Sequence, residues 1–176
     1  LKELWNLGDI KLSHFSKKKN DLLNSAPLRI GIGKNGDLLQ LMDTTDREKL
    51  YRKYWYASGT NQTMTNQLID ITKKATIWAK LNKNDIVLDI GCNDGTLLAN
   101  YKEPNIIKIG IDPAKNFSQI AKKKMNIHLC DYFTKDKFLK ISKNKKAKII
   151  TSIAMYYDLD NPLSFAKDIR NCLSDD

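Results

Sequence analysis

Cysteine and histidine are scarce in this chain of 176 residues, and their positions exclude two common kinds of stabilisation. The three cysteines, Cys92, Cys130 and Cys172, lie far apart with no C-x-x-C pair, and the two histidines are His14 and His128. That spacing indicates neither a disulfide framework nor a zinc site. We therefore predict no bound metal.

Long apolar runs are also missing. No stretch of eighteen apolar residues occurs in the sequence, whereas a membrane-spanning helix needs about twenty. Residues 1–25 lack the pattern of a signal peptide. Together with the unpaired cysteines, these features predict a cytoplasmic protein without a membrane partner.

Arginine is the scarce member of the basic residues. The chain carries 30 Lys and Arg against 20 Asp and Glu, a formal net charge of +10. A positive charge of this size favours a nucleic-acid partner only where the cations cluster against a phosphate backbone. Arginine occurs only at positions 29, 47, 52 and 170, and lysine is scattered in short runs. Because that distribution is typical of a solvated surface, we do not expect nucleic acid as a partner.

The N-terminal part of the chain has the pattern of a small module. Apolar residues alternate in residues 28–41 around an Asn35-Gly36 turn, which predicts a β-hairpin. Residues 45–54 begin with a capping-box pattern, Thr45 to Glu48, and predict a short helix. We predict one module over residues 1–45 and a second domain over residues 46–176.

Helices and strands alternate from residue 63 onward. The predicted strands span residues 85–90, 106–111, 126–130 and 147–153. Four helices are predicted. Three span residues 63–81, 116–124 and 162–173, and the fourth begins at Thr96. The helix over residues 63–81 should bury Met64, Leu68, Ile71, Ala75 and Trp78, and the last helix Pro162, Ala166, Ile169 and Leu173. This alternation is typical of βαβ units, so we predict an α/β fold with a partial parallel sheet.

A glycine-containing turn follows the first strand of that sheet. Gly91 and Gly95 permit positive φ and a close approach of the backbone to a ligand. Ligands of doubly wound sheets bind beyond the carboxyl ends of the strands. The turn is therefore where we expect a cofactor.

Acidic residues end the first three strands of the predicted sheet, at Asp89, Asp112 and Asp131. Asp112 can accept hydrogen bonds from ribose hydroxyls, and Asp131 from an adenine amino group. In the alternative interpretation these residues only cap helices or end strands. Asp94 adds negative charge to the glycine turn, which disfavours the pyrophosphate of NAD and favours the cationic S-adenosylmethionine (SAM).

Three motifs together resemble class I SAM-dependent methyltransferases with a Rossmann-like sheet, most closely the C-methyltransferases of nucleotide-linked deoxysugars. Residues 87–96 (VLDIGCNDGT) resemble the first motif of that family, in its Gly-x-Asn-Asp-Gly form. Residues 54–60 (YWYASGT) are similar to its Tyr-x-Tyr-x-Ser-Gly-Thr segment, and residues 150–158 (ITSIAMYYD) to its fourth-strand motif. The resemblance extends over about residues 27–176.

The resemblance implies a SAM site. The implied cofactor-binding residues are Ser58, Gly59, Thr60, Asp89, Gly91, Asn93, Asp94, Gly95, Asp112, Pro113, Asp131, Phe133 and Ser152. The glycine turn would surround the methionine part of SAM, Asp112 the ribose, and Asp131 with Phe133 the adenine. Residues 58–60 would lie over the cofactor. Tyr56 would face the acceptor as a catalytic residue, and the alternative for it is a tyrosine packed at a helix end.

The chain departs from the family in two places. Family members usually carry N-terminal zinc knuckles with paired C-x-x-C motifs, but residues 33–36 read Gly-Lys-Asn-Gly. Residues 1–45 therefore resemble a degenerate zinc-binding domain. At Asp158 some members place a histidine, which argues against a proton-transfer role for Asp158.

The activity that the resemblance implies is methylation of a carbon atom in a nucleotide-linked keto-deoxysugar. A base must form an enolate for that reaction, and the Glu-His segment that resembles the family's base would lie beyond Asp176. We therefore expect a SAM-binding domain incomplete at its C-terminus, with weak or no turnover by residues 1–176 alone. The alternatives are methyl transfer to another small molecule or to RNA, and a non-catalytic nucleotide-binding module. The oligomeric state is not predicted.

Overall fold

The protein consists of two compact units, Leu1–Trp55 and Tyr56–Asp176. The structure is a computed structural model that describes residues 1–12, 25–36 and 38–175. The division between the units falls later in the chain than the predicted boundary between residues 45 and 46. The domain organisation derived from the sequence stays a prediction.

The first unit contains a three-stranded antiparallel sheet. Its strands are β1 (Lys2–Lys11), β2 (Ser25–Ile32) and β3 (Leu39–Leu41), in the order β1-β2-β3. The predicted hairpin is confirmed, with Ile30 opposite Leu41 and Gly36 at a φ of 72°. The sequence does not predict β1, because all of its residues are exposed and two register shifts break the alternation of side chains.

The short helix α1 (Arg47–Tyr51) begins differently from the capping-box prediction. Its N-cap is Asp46 rather than Thr45, and the Asp46 side chain accepts a hydrogen bond from the Glu48 backbone N–H at 2.9 Å. The Glu48 side chain forms an ion pair with Arg52 at 2.6 Å instead of reaching back to the N-cap. Aspartate caps helices at least as well as threonine, so the adjacent Asp46 takes that position.

The second unit contains a four-stranded parallel sheet, which confirms the predicted α/β fold. Its strands are β4 (Ile86–Ile90), β5 (Ile107–Ile111), β6 (Ile127–Leu129) and β7 (Ile149–Ser152), in the order β6-β5-β4-β7. Ile111 lies opposite both Ile90 and Leu129, so the carboxyl ends of β4, β5 and β6 are level. Strands β5 and β6 lie on one side of β4, and β7, which comes later in the sequence, pairs with the other side of β4. This reversal is a topological switch point.

Helices cover both faces of this sheet. They are α2 (Gln62–Ala79), α3 (Thr96–Ala99), α4 (Ser118–Ala121), α5 (Lys135–Ile141) and α6 (Pro162–Cys172). On one face Leu88 and Ile90 pack with Phe138 of α5 and Cys172 of α6. On the other face Val87 packs with apolar residues of α2 and α3. Because β4 is buried on both faces, its sequence is a nearly continuous apolar run.

The buried face of α2 is confirmed except at its last turn. Met64, Leu68, Ile71 and Ala75 belong to the core cluster as predicted. Trp78, however, is 81% exposed, and Ala79 continues the buried stripe. Trp78 and Ala79 follow Ala75 by three and by four residues, and both spacings lie near the same helix face. The pattern therefore does not decide between them.

The buried face of α6 is also displaced. Phe165, Ile169 and Cys172 face the core, whereas the predicted Pro162 and Ala166 are exposed. Both sets have helical spacing, so periodicity alone could not select the correct one.

Helix α5 is absent from the sequence-based prediction. Thr134 caps it by accepting a hydrogen bond from the Lys137 backbone N–H at 3.3 Å, and Phe138 is fully buried beneath it. Its sequence, KDKFLKI, is too short and too highly charged to show a clear period. Helix α4 is shorter than the predicted helix over residues 116–124. None of the helices in the described ranges has the length and apolar character needed to cross a membrane.

Replacing Ile109 by alanine should destabilise the second unit strongly. Ile109 is fully buried in β5, between β4 and β6, so the smaller side chain loses apolar contacts and leaves a cavity. We expect the free energy of unfolding, measured by urea denaturation, to fall by about 2–5 kcal/mol. Ile120→Ala is the matched control, because Ile120 is 48% exposed, and it should cost less than about 1 kcal/mol. Equal losses in both variants would contradict the assigned core.

Candidate functional site

The carboxyl ends of β4, β5 and β6 meet at one edge of the sheet. Backbone hydrogen bonds continue past the strands, from Gly91 N–H to the Ile111 carbonyl at 2.8 Å and from Asp112 N–H to the Leu129 carbonyl at 3.1 Å. These bonds place the segments that follow the three strands side by side. We call this the cofactor edge, because it is where doubly wound sheets bind ligands.

The glycine loop, residues 91–95, bends through the left-handed region three times. The φ angles are 76° at Gly91, 51° at Asn93 and 78° at Gly95. A Cβ atom on Gly95 would also lie 2.8 Å from Met125 Cε and 3.4 Å from Ala121 Cα. Glycine at position 95 is therefore favoured by the backbone conformation, and a larger residue would also require the Met125 side chain to move.

Asp112 connects the end of β5 to the glycine loop. One carboxylate oxygen accepts a hydrogen bond from the Asn93 backbone N–H at 2.8 Å, and the other from Ala114 N–H at 2.7 Å. Burial raises the pKa of Asp112, and these two hydrogen bonds oppose the increase. Each oxygen still has a second lone pair. The carboxylate thus has a structural role and retains acceptor sites for a ligand hydroxyl, with the half-buried Pro113 following it.

Asp89 lies inside its strand rather than at the tip. It pairs with Gly110 on one side and Thr151 on the other, and Ile90 is the last residue of β4. Its carboxyl group accepts a hydrogen bond from the Thr151 hydroxyl at 2.6 Å. Burial raises the pKa of Asp89 to about 7, with the Thr151 bond opposing and the Asp112 charge adding to the increase. A cofactor-binding role for Asp89 stays a prediction.

Asp131 and Phe133 follow β6 and are engaged with neighbouring side chains. Asp131 accepts a hydrogen bond from the Tyr132 backbone N–H at 2.8 Å and forms an ion pair with Lys137 at 2.7 Å. The Phe133 ring packs edge-on against Phe165 of α6, with centroids 5.5 Å apart. Both residues lie beyond the end of β6, as predicted. A ligand bound there would interact with an Asp131 carboxylate that also forms the ion pair with Lys137.

The end of β7 contributes a buried hydroxyl group and a strained residue. The Ser152 hydroxyl is buried and has no hydrogen-bond partner among the described residues, and a buried hydroxyl group without a partner costs about 1–3 kcal/mol. Ala154 has a φ of 55°, which is uncommon for a residue with a Cβ atom. The Met155 side chain lies 3.4 Å from the point that a Cβ on Gly91 would occupy. Unsatisfied polar groups and backbone strain concentrate at functional sites.

The 56–60 segment lies against the glycine loop. Ser58 N–H donates to Asn93 Oδ1 at 3.0 Å, and Gly59 N–H donates to Asp94 Oδ2 at 3.1 Å. In return, Asn93 Nδ2 donates to the Tyr56 carbonyl at 2.8 Å. The motifs in residues 54–60 and 87–96 are therefore in direct contact, although helix α2 lies between them in the sequence.

The side chains of the 56–60 segment differ in their surroundings. The Thr60 hydroxyl donates to the Ala57 carbonyl at 2.7 Å, within the short 3-10 turn Ser58–Thr60. Tyr56 is 43% exposed, which leaves the residue accessible to an acceptor. A catalytic role for Tyr56 stays a prediction. Asp158 lies in the 3-10 turn Tyr156–Asp158 and is exposed.

Lys124 is one of the residues of this region that the sequence analysis misses, with Thr96 and Thr151. Its ammonium group donates to Asp94 Oδ2 at 3.2 Å and to the Thr96 hydroxyl at 3.1 Å. Burial alone would raise the pKa of Asp94, but the hydrogen bond from Thr96 and the charge of Lys124 outweigh it and lower that pKa. In the sequence Lys124 is one of three consecutive lysines. Nothing in that run distinguishes it from its solvated neighbours.

No group of three or more His, Cys, Asp or Glu side chains in the described parts of the chain is arranged to hold a metal ion. That a metal is absent from the working protein stays a prediction.

The sheet order and the glycine loop at the switch point define a Rossmann-like α/β domain. A family model described as a methyltransferase domain matches residues 60–176. The chain belongs to this methyltransferase domain family. A search of curated proteins found no match.

Solved structures of methyltransferases share this fold. One is the plantazolicin methyltransferase BamL in complex with a triazolic desmethylPZN analog and S-adenosylhomocysteine (SAH). It is 24% identical, has a TM-score of 0.51, and the match covers 65% of this chain and 44% of that chain. Another is the plantazolicin methyltransferase BpumL in complex with a triazolic desmethylPZN analog and SAH, with 20% identity, a TM-score of 0.51, and coverage of 66% and 46%. This chain therefore spans less than half the length of these proteins.

Replacing Asp89 by asparagine should remove a pH dependence of stability. The pKa of Asp89 is about 7 in the folded protein, above its ordinary value of 3.8, so the unfolded chain releases this proton at a lower pH than the folded chain. Ionisation of the unfolded chain therefore destabilises the wild type progressively as the pH rises from about 4 to about 7. Asparagine has nearly the same shape and no proton to lose. We expect the free energy of unfolding of wild type, minus that of Asp89→Asn, to fall from about pH 4 to about pH 7 and to stay constant above it.

Urea denaturation of both proteins at about pH 5 and about pH 8 measures this difference. Asp175→Asn is the control, because a hydrogen bond from Arg170 lowers the pKa of the exposed Asp175 below its ordinary value of 3.8. Asp175 is therefore ionised in the folded and the unfolded chain at both pH values, and its replacement should give the same difference from wild type at each. If Asp89→Asn and wild type kept the same difference at both pH values, Asp89 would not carry a raised pKa.

Proposed function

We propose that this chain supplies the SAM site of a SAM-dependent methyltransferase. The observation that carries the proposal is the glycine loop, which has positive φ angles at the switch point of a domain of the methyltransferase family. The occurrence of SAH in the BamL and BpumL structures supports the same cofactor. The unpaired cysteines support a cytoplasmic setting for the protein.

The polar groups at the cofactor edge fit a cationic nucleoside. Asp112 has lone pairs that can accept from ribose hydroxyls, and Ser152 offers a buried hydroxyl group that no other described residue binds. The backbone of Gly91 and Gly95 allows a close approach to the methionine part, and Asp131 with Phe133 would lie near the adenine. SAM supplies an electrophilic methyl group on a sulfonium, which is a good leaving group. The protein contributes by binding the donor and aligning the acceptor with it.

We further propose that the acceptor is a nucleotide-linked keto-deoxysugar. The proposal is supported by the motif in residues 54–60 and by the contacts of that segment with the glycine loop. The exposed Tyr56 phenol would donate a hydrogen bond to an acceptor hydroxyl or to a developing enolate oxygen. The proton that must leave the sugar carbon needs a separate base.

Calorimetric titration with SAM, SAH and NAD tests the cofactor. Wild type should bind SAM and SAH and not NAD. Asp112→Ala should weaken SAH binding by about 1–3 kcal/mol, because it removes a charged hydrogen-bond acceptor. Asp136→Ala is the control, since the Asp136 side chain is 90% exposed, and its affinity should equal that of wild type. Thermal unfolding must accompany the titration, because Asp112 also holds the glycine loop.

Binding of NAD without binding of SAM or SAH would contradict the cofactor assignment. An unchanged affinity of Asp112→Ala would leave Asp112 with its structural role alone.

The acceptor is tested with the whole protein and labelled SAM. A nucleotide-linked keto-deoxysugar, a peptide and an RNA are offered in parallel, and mass spectrometry locates any added methyl group. We expect methylation of a sugar carbon. Methyl transfer only to the peptide would reject the sugar, and transfer to RNA that weakens steeply with added salt would indicate binding through phosphate contacts.

A further inference from the structure

Asn93 and Asp94 direct their side chains at other parts of the protein. Asn93 Oδ1 accepts hydrogen bonds from Ser58 N–H and from Asp94 N–H, and Asn93 Nδ2 donates to the Tyr56 carbonyl. Both residues are buried. The amide oxygen of Asn93 has two lone pairs, and both are used within the protein.

The Asp94 carboxylate is fully occupied in the same way. Oδ1 accepts from the Thr96 N–H at 3.1 Å and from the Thr96 hydroxyl at 2.7 Å. Oδ2 accepts from Gly59 N–H at 3.1 Å and from Lys124 Nζ at 3.2 Å. A carboxylate offers about four lone-pair sites. A direct bond from Asp94 to a cationic group of a ligand would have to displace one of these donors.

The contact between Gly59 and Asp94 requires glycine. A Cβ atom on Gly59 would lie 2.7 Å from Asp94 Oδ2 and 2.7 Å from Thr96 Oγ1, which is closer than such atoms approach one another. The φ of Gly59 is not in the positive region. Steric access for the backbone N–H, rather than backbone conformation, therefore accounts for glycine in the Ser-Gly-Thr motif.

Lys124 balances the charge of this arrangement. The Asp94 side chain is 8% exposed and that of Lys124 is 29% exposed. A buried carboxylate is costly unless it is paired and hydrogen-bonded, and Lys124 is the cation that pairs with it. The 56–60 segment thus depends on a lysine that is distant from it in the sequence.

We propose that Asn93, Asp94 and Lys124 form a latch that positions the 56–60 segment at the cofactor edge. All three are positioning residues, which act on the cofactor through the segment and not by direct contact. The inference rests on the proposed function in so far as the ligand under the segment is SAM or SAH. Its structural part, the attachment of the segment, is independent of the ligand.

The first test is Asn93→Gly, with Asn105→Gly as the matched control. Both asparagines have left-handed φ angles, 51° and 61°, so glycine removes the side chain without straining the backbone. Asn105 is exposed and lies before β5, away from the cofactor edge. In Asn93→Gly, hydrogen exchange at the Ser58 amide of the ligand-free protein should become at least about tenfold faster. The SAH dissociation constant should rise about tenfold, and Asn105→Gly should change neither quantity.

The second test is Lys124→Met, with Lys123→Met as control because Lys123 is exposed. Lys124→Met should accelerate exchange at the Gly59 amide and weaken SAH binding about tenfold. Lys124→Arg restores the cation and should recover most of both effects. A residue that merely stabilised the fold would lower the unfolding temperature without a selective effect on the amides of Ser58 and Gly59. If Asn93→Gly does not fold, the Lys124 pair carries the test.

Unchanged amide exchange in Asn93→Gly and Lys124→Met would overturn the latch. Faster exchange with an unchanged SAH affinity would overturn its role in cofactor binding. If wild type itself binds no SAH, the proposed function fails, and the exchange measurements alone then decide whether the latch exists.

Discussion

The candidate site depends on the parallel pairing of β4 with β5 and on its continuation beyond the strands. The bond from Gly91 N–H to the Ile111 carbonyl fixes the start of the glycine loop against the end of β5. Asp112 follows β5 directly in the sequence, and its carboxylate accepts a hydrogen bond from the Asn93 N–H. Strand register thus determines where the loop begins, and a single side chain determines how it curves.

The fold and the main features of the site could be predicted because they rest on local patterns. Strand β4 is apolar except at Asp89 since it is buried on both faces, and Gly91 and Gly95 have left-handed angles that favour glycine. What failed depended on distant contacts. Helix α5 is held by the burial of Phe138, and the choice of Ala79 over Trp78 is made by the sheet beneath. Neither contact leaves a periodic signal in the sequence.

The role of Lys124 shows the same limit at the site. Its sequence neighbours are lysines and its function depends on Asp94, which lies in another loop. By contrast, Gly59 is conspicuous in the sequence, but the physical reason for it becomes clear only when Asp94 and Thr96 are seen at 2.7 Å from its missing Cβ. Sequence patterns identified both segments of the contact, whereas the structure identified the donor and acceptor atoms that join them.

The carboxylates near the glycine loop give this edge an electrostatic character unlike that of the whole chain. The formal net charge is +10, yet Asp89, Asp94 and Asp112 are all buried within this small region. Charges farther away than about 10 Å are largely screened at an ionic strength of 0.1 M. A small cation that arrives at the edge would therefore respond mainly to local charges. Lys124 already compensates the charge of Asp94, and the raised pKa of Asp89 reduces the charge of that residue near neutral pH, which leaves the Asp112 carboxylate as the main local attraction.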